Sequence, residues 1–346
     1  MKAKNNSNQL LMTILKGRTF IVLILLVVFF SIVKNNFLAP ATLTMVAKHV
    51  ALYGILALGM TFVIITGGID LSVGSIVGLV GMLAGGMIQE GVTISIAGVT
   101  LYFSVPVIII FMLIIGCVIG AINGLIITKL NVAPFITTLG TMYMCRGFAS
   151  LRSGGATFSD INGYEGLGNE GFKALGSNFL NIPAGVYVFA VLAVIAVILL
   201  KKIPFGWYVL AVGGNEKSAR LSGIKADKIK ILVYMISGFC AAWAGMINTA
   251  QLSAAHPASG DGWEMNAIAA TVLGGTSMAG GSGTILGTVV GAFVIGVIND
   301  GMTMCGVSEF WQQVIRGAVI IFAVVIDQVQ RNMQARMALQ ARNENK

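Results

Sequence analysis

Long apolar stretches, separated by short polar segments, recur along almost the whole chain. Ten of them occur in 346 residues, and few charged residues fall inside them. A helix needs about 20 apolar residues to cross the ~30 Å of hydrocarbon in a bilayer. The pattern therefore predicts an all-α, polytopic membrane protein with about ten transmembrane helices.

The predicted spans differ in length. They cover residues 19–32, 50–66, 71–87, 105–128, 134–151, 183–200, 229–249, 264–276, 283–301 and 310–329. The first and the eighth are short. The eighth is short enough to be a partial or re-entrant element instead of a full crossing.

Composition supports the same class. The chain is 56% hydrophobic and only 10% charged, and its mean hydropathy is +0.89. A single soluble core stops growing at roughly 250–300 residues, so a soluble domain could not bury this much apolar surface. Membrane lipid is the expected partner of that surface, and soluble protein classes are excluded.

The basic residues predict an orientation. If the N-terminus is cytoplasmic, most of the 22 Lys and Arg residues fall in the N-terminal segment, the loop at 201–230 and the C-terminal tail. Cytoplasmic segments carry an excess of Lys and Arg, so both termini are expected in the cytoplasm. The net charge of +9 is then explained by anionic cytoplasmic lipid, without nucleic acid.

Two glycine-rich breaks interrupt the apolar pattern, one after the second predicted span and one after the eighth. Irregular backbone at membrane depth is tolerated only where it is buried in protein or lines water, and broken helices often border a transport route. The candidate route residues are Gly67, Gly68, Asp70, Ser72, Gly274, Gly275 and Thr276. An ordinary tight turn, with Asp70 capping the following helix, would also account for such a break.

Catalytic and cofactor motifs are missing from the sequence. The four cysteines form no C-x-x-C pair, the two histidines stand alone, and there is no Walker A motif or nucleophile elbow. A G-x-G-x-x-G run at 166–171 has no preceding strand and no βαβ unit, so it is interpreted as coincidence. We expect no enzyme activity, no metal and no cofactor, and no ATP binding by this chain itself.

The basic loop contains one ordered segment, at about 213–224. Asn215 is suited to cap a short helix and Gly223 to end it, which indicates a small cytoplasmic helix for docking another protein. A basic loop that only fixes topology is the alternative. The candidate docking residues are Gly214, Asn215, Glu216, Arg220, Leu221 and Ile224.

Three regions resemble a known family. They are ALGMT at 57–61 with GIDLSVGS at 68–75, GGNE with ARLSGI within 213–224, and AIAA, VLGGTS and AGG within 267–281. They are similar to the permease of bacterial ABC importers for ribose and related sugars, in the branched-chain amino acid/ribose permease superfamily. The resemblance covers nearly the whole chain.

This resemblance implies a single transmembrane permease domain over 1–346, with its coupling helix at 213–224. It implies a homodimer of permeases in the bacterial inner membrane. Further implied partners are an ABC ATPase subunit, which hydrolyses ATP, and an extracytoplasmic sugar-binding protein that delivers a monosaccharide. Ribose leads among the substrates, but xylose, galactose, allose, inositol and a furanosyl signal molecule stay open.

An alternative function is a secondary transporter coupled to H⁺ or Na⁺. Asp70 or Asp300 would then be the coupling carboxylate, since ionisable groups in spans often mark ion pathways. The sequence shows no clear acidic relay, and this alternative leaves the segment at 213–224 unexplained.

Overall fold

The computed structural model describes residues 2–94 and 98–344, with side chains described at 17, 19–94, 98–326 and 328–329. Helices dominate this part of the chain. They are α1 Lys2–Val33, α2 Pro40–Ile65, α3 Val73–Gln89, α4 Val105–Lys129, α5 Pro134–Leu151, α6 Ala184–Lys201, α7 Pro204–Gly214, α8 Glu216–Leu221, α9 Ala226–Leu252, α10 Trp263–Leu273, α11 Ile285–Met304 and α12 Glu309–Glu344.

The predicted spans each coincide with one of these helices, so the all-α membrane class is confirmed. Among the described residues, six helices are long and apolar enough to cross a membrane: α2, α4, α6, α9, α11 and the 309–326 part of α12. The helix α3 and the 19–33 part of α1 are shorter apolar helices. The predicted count of about ten transmembrane helices is therefore approximate.

Prolines mark several helix starts. Pro40, Pro134 and Pro204 occupy the first turn of α2, α5 and α7, where a missing N–H costs nothing. The second predicted span was expected to begin at residue 50, but α2 begins at Pro40. A search for long apolar runs misses this first part of α2 because the segment contains polar and small residues. A helix accommodates such residues without loss of backbone hydrogen bonds.

The eighth predicted span is the half-length helix α10. Its 11 residues extend only about 16 Å at 1.5 Å per residue, too little to cross the hydrocarbon. Three short antiparallel strand pairs lie in the loops: β1 Val92–Ile94 with β2 Val99–Leu101, β3 Phe158–Ser159 with β6 Ala254–Ala255, and β4 Asn178–Phe179 with β5 Ile182–Pro183. A 3₁₀ helix occupies Phe172–Gly176.

The helix α9 lies at the centre of the bundle and packs against α2, α3 and α4. Its contact with α4 depends on glycine. A Cβ on Gly120 would collide with the carbonyl of Tyr234, and a Cβ on Gly238 would collide with the carbonyl of Gly116. Small residues let helix backbones approach closely in lipid, and the four-residue glycine spacing of α4 serves this packing.

We predict that Gly238→Val separates α4 from α9 and lowers stability, because overpacking a close contact costs about 1–3 kcal/mol. The measurement is the apparent Tm of the purified protein in detergent. Gly317→Val on α12 is the matched control, since nothing lies within 4 Å of a Cβ there. Equal melting of the two variants would contradict this packing.

Candidate functional site

The first glycine break follows α2. The helix ends at Ile65, Gly67 adopts a left-handed φ of 79°, and Gly68 lies against the Tyr234 hydroxyl. The positive φ explains a glycine at 67, and the close contact explains one at 68.

The second break joins α10 to α11 and contains three glycines with left-handed backbone, Gly275, Gly280 and Gly281. Gly274 packs against the backbone of Gly287. Thr276 is buried, and its Oγ1 has no hydrogen-bond partner among the described residues.

The two breaks meet, although about 200 residues separate them in sequence. The amide of Gly281 donates a hydrogen bond to the carbonyl of Ile65 at 2.8 Å. The end of α7 joins them, because Gly213 lies directly against the same Ile65 carbonyl and beside Gly281. Any displacement of α7 would therefore act on both breaks at once.

Asp70 is fully buried and fully bonded. Its carboxylate accepts hydrogen bonds from the Ser72 amide at 3.0 Å, the Ser72 hydroxyl at 2.5 Å and the Ser237 hydroxyl at 2.7 Å. Asn123 donates to the Ser72 hydroxyl, and Thr141 donates to Asn123. The network ties the first break to α4, α5 and α9.

This network corrects the simple capping interpretation of Asp70. Ser72 occupies the N-cap of α3, and the bond to its amide is only one of three that Asp70 accepts. None of these hydrogen-bond donors is a cationic side chain. Asp300, the other carboxylate considered for ion coupling, lies 2.6 Å from Nδ1 of His49.

The short helix α8 follows directly on α7. The Asn215 side chain accepts a hydrogen bond from the Ser218 amide at 3.0 Å, which is the expected N-cap. Gly223 follows the helix with a left-handed φ of 84°. The helix is shorter than expected because Gly213 and Gly214 belong to the last turn of α7, a helix that the sequence analysis missed.

Ion pairs fasten α8 to the bundle. Glu216 pairs with Arg220 at 2.8 Å and with Lys230 of α9 at 2.5 Å. Asp227 of α9 pairs with Arg220 and, at 3.3 Å, with Lys129 of α4. Glu216 and Arg220, which were both expected to be docking residues, thus form their ion pairs within the chain.

The pKa of Glu216 reflects these pairs. Partial burial alone would raise it, but the hydrogen bonds and charges of Lys230 and Arg220 outweigh burial and hold the pKa below its ordinary value. A carboxylate whose pKa is lowered in the fold contributes its full stabilisation at any pH above its ordinary pKa. That stabilisation is lost only as the pH falls through the lowered pKa. At neutral pH the brace is therefore fully formed.

Leu221 is the apolar residue that α8 presents outward, with 90% of its surface exposed. Ala219 on the opposite side is buried, and Ile224 is partly buried against the core. Ile224 therefore anchors α8 to its own chain. An apolar side chain on a short, braced helix is a geometry suited to docking.

Comparison with known proteins identifies the family. A family model described as branched-chain amino acid transport system / permease component matches residues 42–324. The ribose import permease protein of Bacillus subtilis (strain 168) is 45% identical over 310 residues, covering 89% of this chain and 91% of that protein. No solved structure matches the chain.

Two further relatives come from Escherichia coli (strain K12). Its ribose import permease protein is 37% identical over 321 residues, covering 91% of this chain and 94% of that protein. Its galactose/methyl galactoside import permease protein is 37% identical over 332 residues, covering 93% and 96%. These matches run nearly end to end, and the chain belongs to the family of branched-chain amino acid transport system permease components.

Proposed function

We propose that this chain is the membrane-spanning permease of a binding-protein-dependent ABC importer. It moves a monosaccharide, ribose or a related sugar, into the cytoplasm, using ATP hydrolysis on a separate subunit. The relatives named as ribose and galactose import permeases support the sugar class. The structural observation that carries the proposal is a braced helix that presents an exposed Leu221.

In this proposal the helix α8 couples ATP hydrolysis on the other subunit to transport by this chain. The sequence contains no Walker A motif, so work must enter through contact with an ATPase subunit. In this proposal the ATPase docks on the segment at about 213–224, with Leu221 as its apolar contact. Glu216 and Arg220 keep α8 rigid, and Gly213 passes displacement to Ile65 and the two breaks.

The two breaks are proposed to border the cytoplasmic end of the sugar route. Glycine backbone and few charged side chains suit passage of a neutral polar molecule, and buried Thr276 supplies an unpartnered hydroxyl there. Irregular backbone at membrane depth is favourable where it lines such a route. In this proposal Asp70 accepts the hydrogen bonds that hold the first break in place. The proposed route residues are unchanged: Gly67, Gly68, Asp70, Ser72, Gly274, Gly275 and Thr276.

The proposed assembly contains two copies of this chain, the ATPase and an extracytoplasmic sugar-binding protein. It lies in the bacterial inner membrane as a single permease domain, and both termini are cytoplasmic.

We predict that reporter fusions at Asn169 and Asn215 give opposite sides of the membrane, because Asn169 lies in the loop before α6, whereas Asn215 follows α6 and lies between α7 and α8. The measurement compares a periplasmically active reporter with a cytoplasmically active one at each position. Two fusions reporting the same side would show the proposed topology to be wrong.

The energy source separates this function from the secondary transporter. Vesicles that contain the chain, its ATPase and its binding protein are loaded with ATP, with or without vanadate. Vanadate should stop uptake of labelled ribose or galactose, and an ionophore should leave it largely intact. Uptake that resists vanadate but collapses with the ionophore would favour an ion-coupled carrier.

A further inference from the structure

The chain between α9 and α10 turns back into the bundle. Gly260 packs against Val77 of α3, and Val77 also contacts Gly245 of α9. Gly245 lies seven residues before the end of α9 at Leu252, about 10 Å along a helix that rises 1.5 Å per residue. Val77 lies about 18 Å before the end of α3 by the same measure. The loop at 256–262 therefore reaches the depth of the hydrocarbon.

Arg146 of α5 holds this loop in place. Its guanidinium donates to the carbonyls of Pro257 at 2.6 Å and Ser259 at 2.8 Å, and it lies 3.8 Å from the carboxylate of Asp261. Backbone carbonyls at membrane depth need such partners. Gly78 of α3 leaves the space that the guanidinium occupies.

Asp261 carries a charge at this depth and is not buried. Its side chain is 86% exposed, whereas that of Arg146 is 23% exposed. An ionised carboxylate facing hydrocarbon is costly, and a short aspartate side chain cannot snorkel to the interface as Lys and Arg do. Lipid is therefore an unfavourable neighbour for this side chain, whereas water is a favourable one.

We propose that Asp261 lines the water-filled sugar route in the outer part of the membrane and accepts hydrogen bonds from the hydroxyl groups of the passing sugar. Arg146 is its positioning residue. This inference rests on the proposed function and adds a substrate contact to it, separate from the two glycine breaks.

The chemistry of the surface fits a neutral polyhydroxylated ligand. A carboxylate offers two acceptor oxygens, which suit neighbouring hydroxyls, and charged acceptors make the stronger hydrogen bonds. Tyr143 of α5 is 69% exposed and supplies an aromatic surface one turn from Arg146. The ion pair of Arg146 with Asp261 is long, at 3.8 Å, and Asp261 is exposed, so the pair contributes little to stability and Asp261 is not needed to hold the fold together.

Exposure to water is tested first. The four native cysteines are replaced, and two variants are treated with a membrane-impermeant, positively charged methanethiosulfonate: Asp261→Cys, and Met265→Cys, which lies four residues further on in the first turn of α10 and is 43% exposed. Ile114→Cys on α4, at a position 54% exposed on an apolar helix, is the matched lipid-facing control. We expect both test positions to react at least about tenfold faster than the control. Equal, slow reaction of all three inserted proteins would overturn the route assignment.

The sugar contact is tested by transport. The binding protein sets the apparent KM, so the readout is the maximal sugar uptake per ATP hydrolysed. We expect Asp261→Asn to lower this ratio about tenfold, which is the effect of losing one hydrogen bond to a charged group. Binding-protein-stimulated ATPase activity should persist. Arg146→Lys should give a partial loss. Wild-type uptake per ATP in Asp261→Asn would overturn the contact. If the wild-type assembly moves no sugar, the proposed function fails, while the thiol measurement still decides whether Asp261 faces water.

Discussion

Replacing Leu221 by Asp is expected to leave the protein inserted and folded but to release or uncouple the ATPase. The side chain is 90% exposed on α8, so the folded chain loses almost no packing. Truncating a well-packed apolar anchor at an interface can cost more than ~2 kcal/mol, which is more than a tenfold loss of association. Co-purification of the ATPase and sugar-stimulated ATPase activity in reconstituted membranes measure this loss.

Leu180→Asp is the matched control for Leu221. It makes the same chemical change at a residue that is 77% exposed, in the loop before α6 and thus at the opposite end of that helix from α7 and α8. The control should keep the ATPase bound and stimulated. Normal co-purification and normal stimulation of Leu221→Asp would place the docking contact elsewhere.

Replacing Asp70 by Leu is expected to prevent accumulation of well-folded protein. The change leaves the Ser72 amide and the hydroxyls of Ser72 and Ser237 without their acceptor in a fully buried place. Each buried donor left unpaired costs about 1–3 kcal/mol, against a total stability of about 5–15 kcal/mol. The measurement is the yield of monodisperse protein in detergent size-exclusion chromatography.

Asp70→Asn separates the effect of the hydrogen-bond network from the effect of the negative charge. The amide keeps one acceptor oxygen, so a smaller loss of yield is expected than for Asp70→Leu. Glu165→Leu, at an exposed carboxylate in the loop between α5 and α6, is the matched control and should express normally. Wild-type yield of Asp70→Leu would show that this network does not hold the first break.

Local features of this fold were predictable from the sequence. Hydrophobic length locates the spans because lipid requires about 20 apolar residues for each crossing. Asn215 and Gly223 indicated the bounds of α8 because only certain residue types satisfy helix ends. The two breaks were visible because Gly67 and Gly275 interrupt otherwise apolar sequence.

Long-range features could not be predicted in this way. Nothing local places Gly281 on the Ile65 carbonyl, since the contact joins distant parts of the chain. Arg146 reads as a lone charge in an apolar span until the loop at 256–262 folds back to meet it. The pair of Glu216 with Lys230 likewise depends on how α8 lies against α9.

Transport by the reconstituted assembly shows directly whether ATP hydrolysis on a separate subunit drives sugar import through this chain. Liposomes contain the purified chain with its ATPase, and ribose-loaded binding protein is added outside. We expect labelled ribose to accumulate only when ATP is trapped inside and the ATPase is present. Accumulation without the ATPase, or driven by an ion gradient in the absence of ATP, would contradict this expectation.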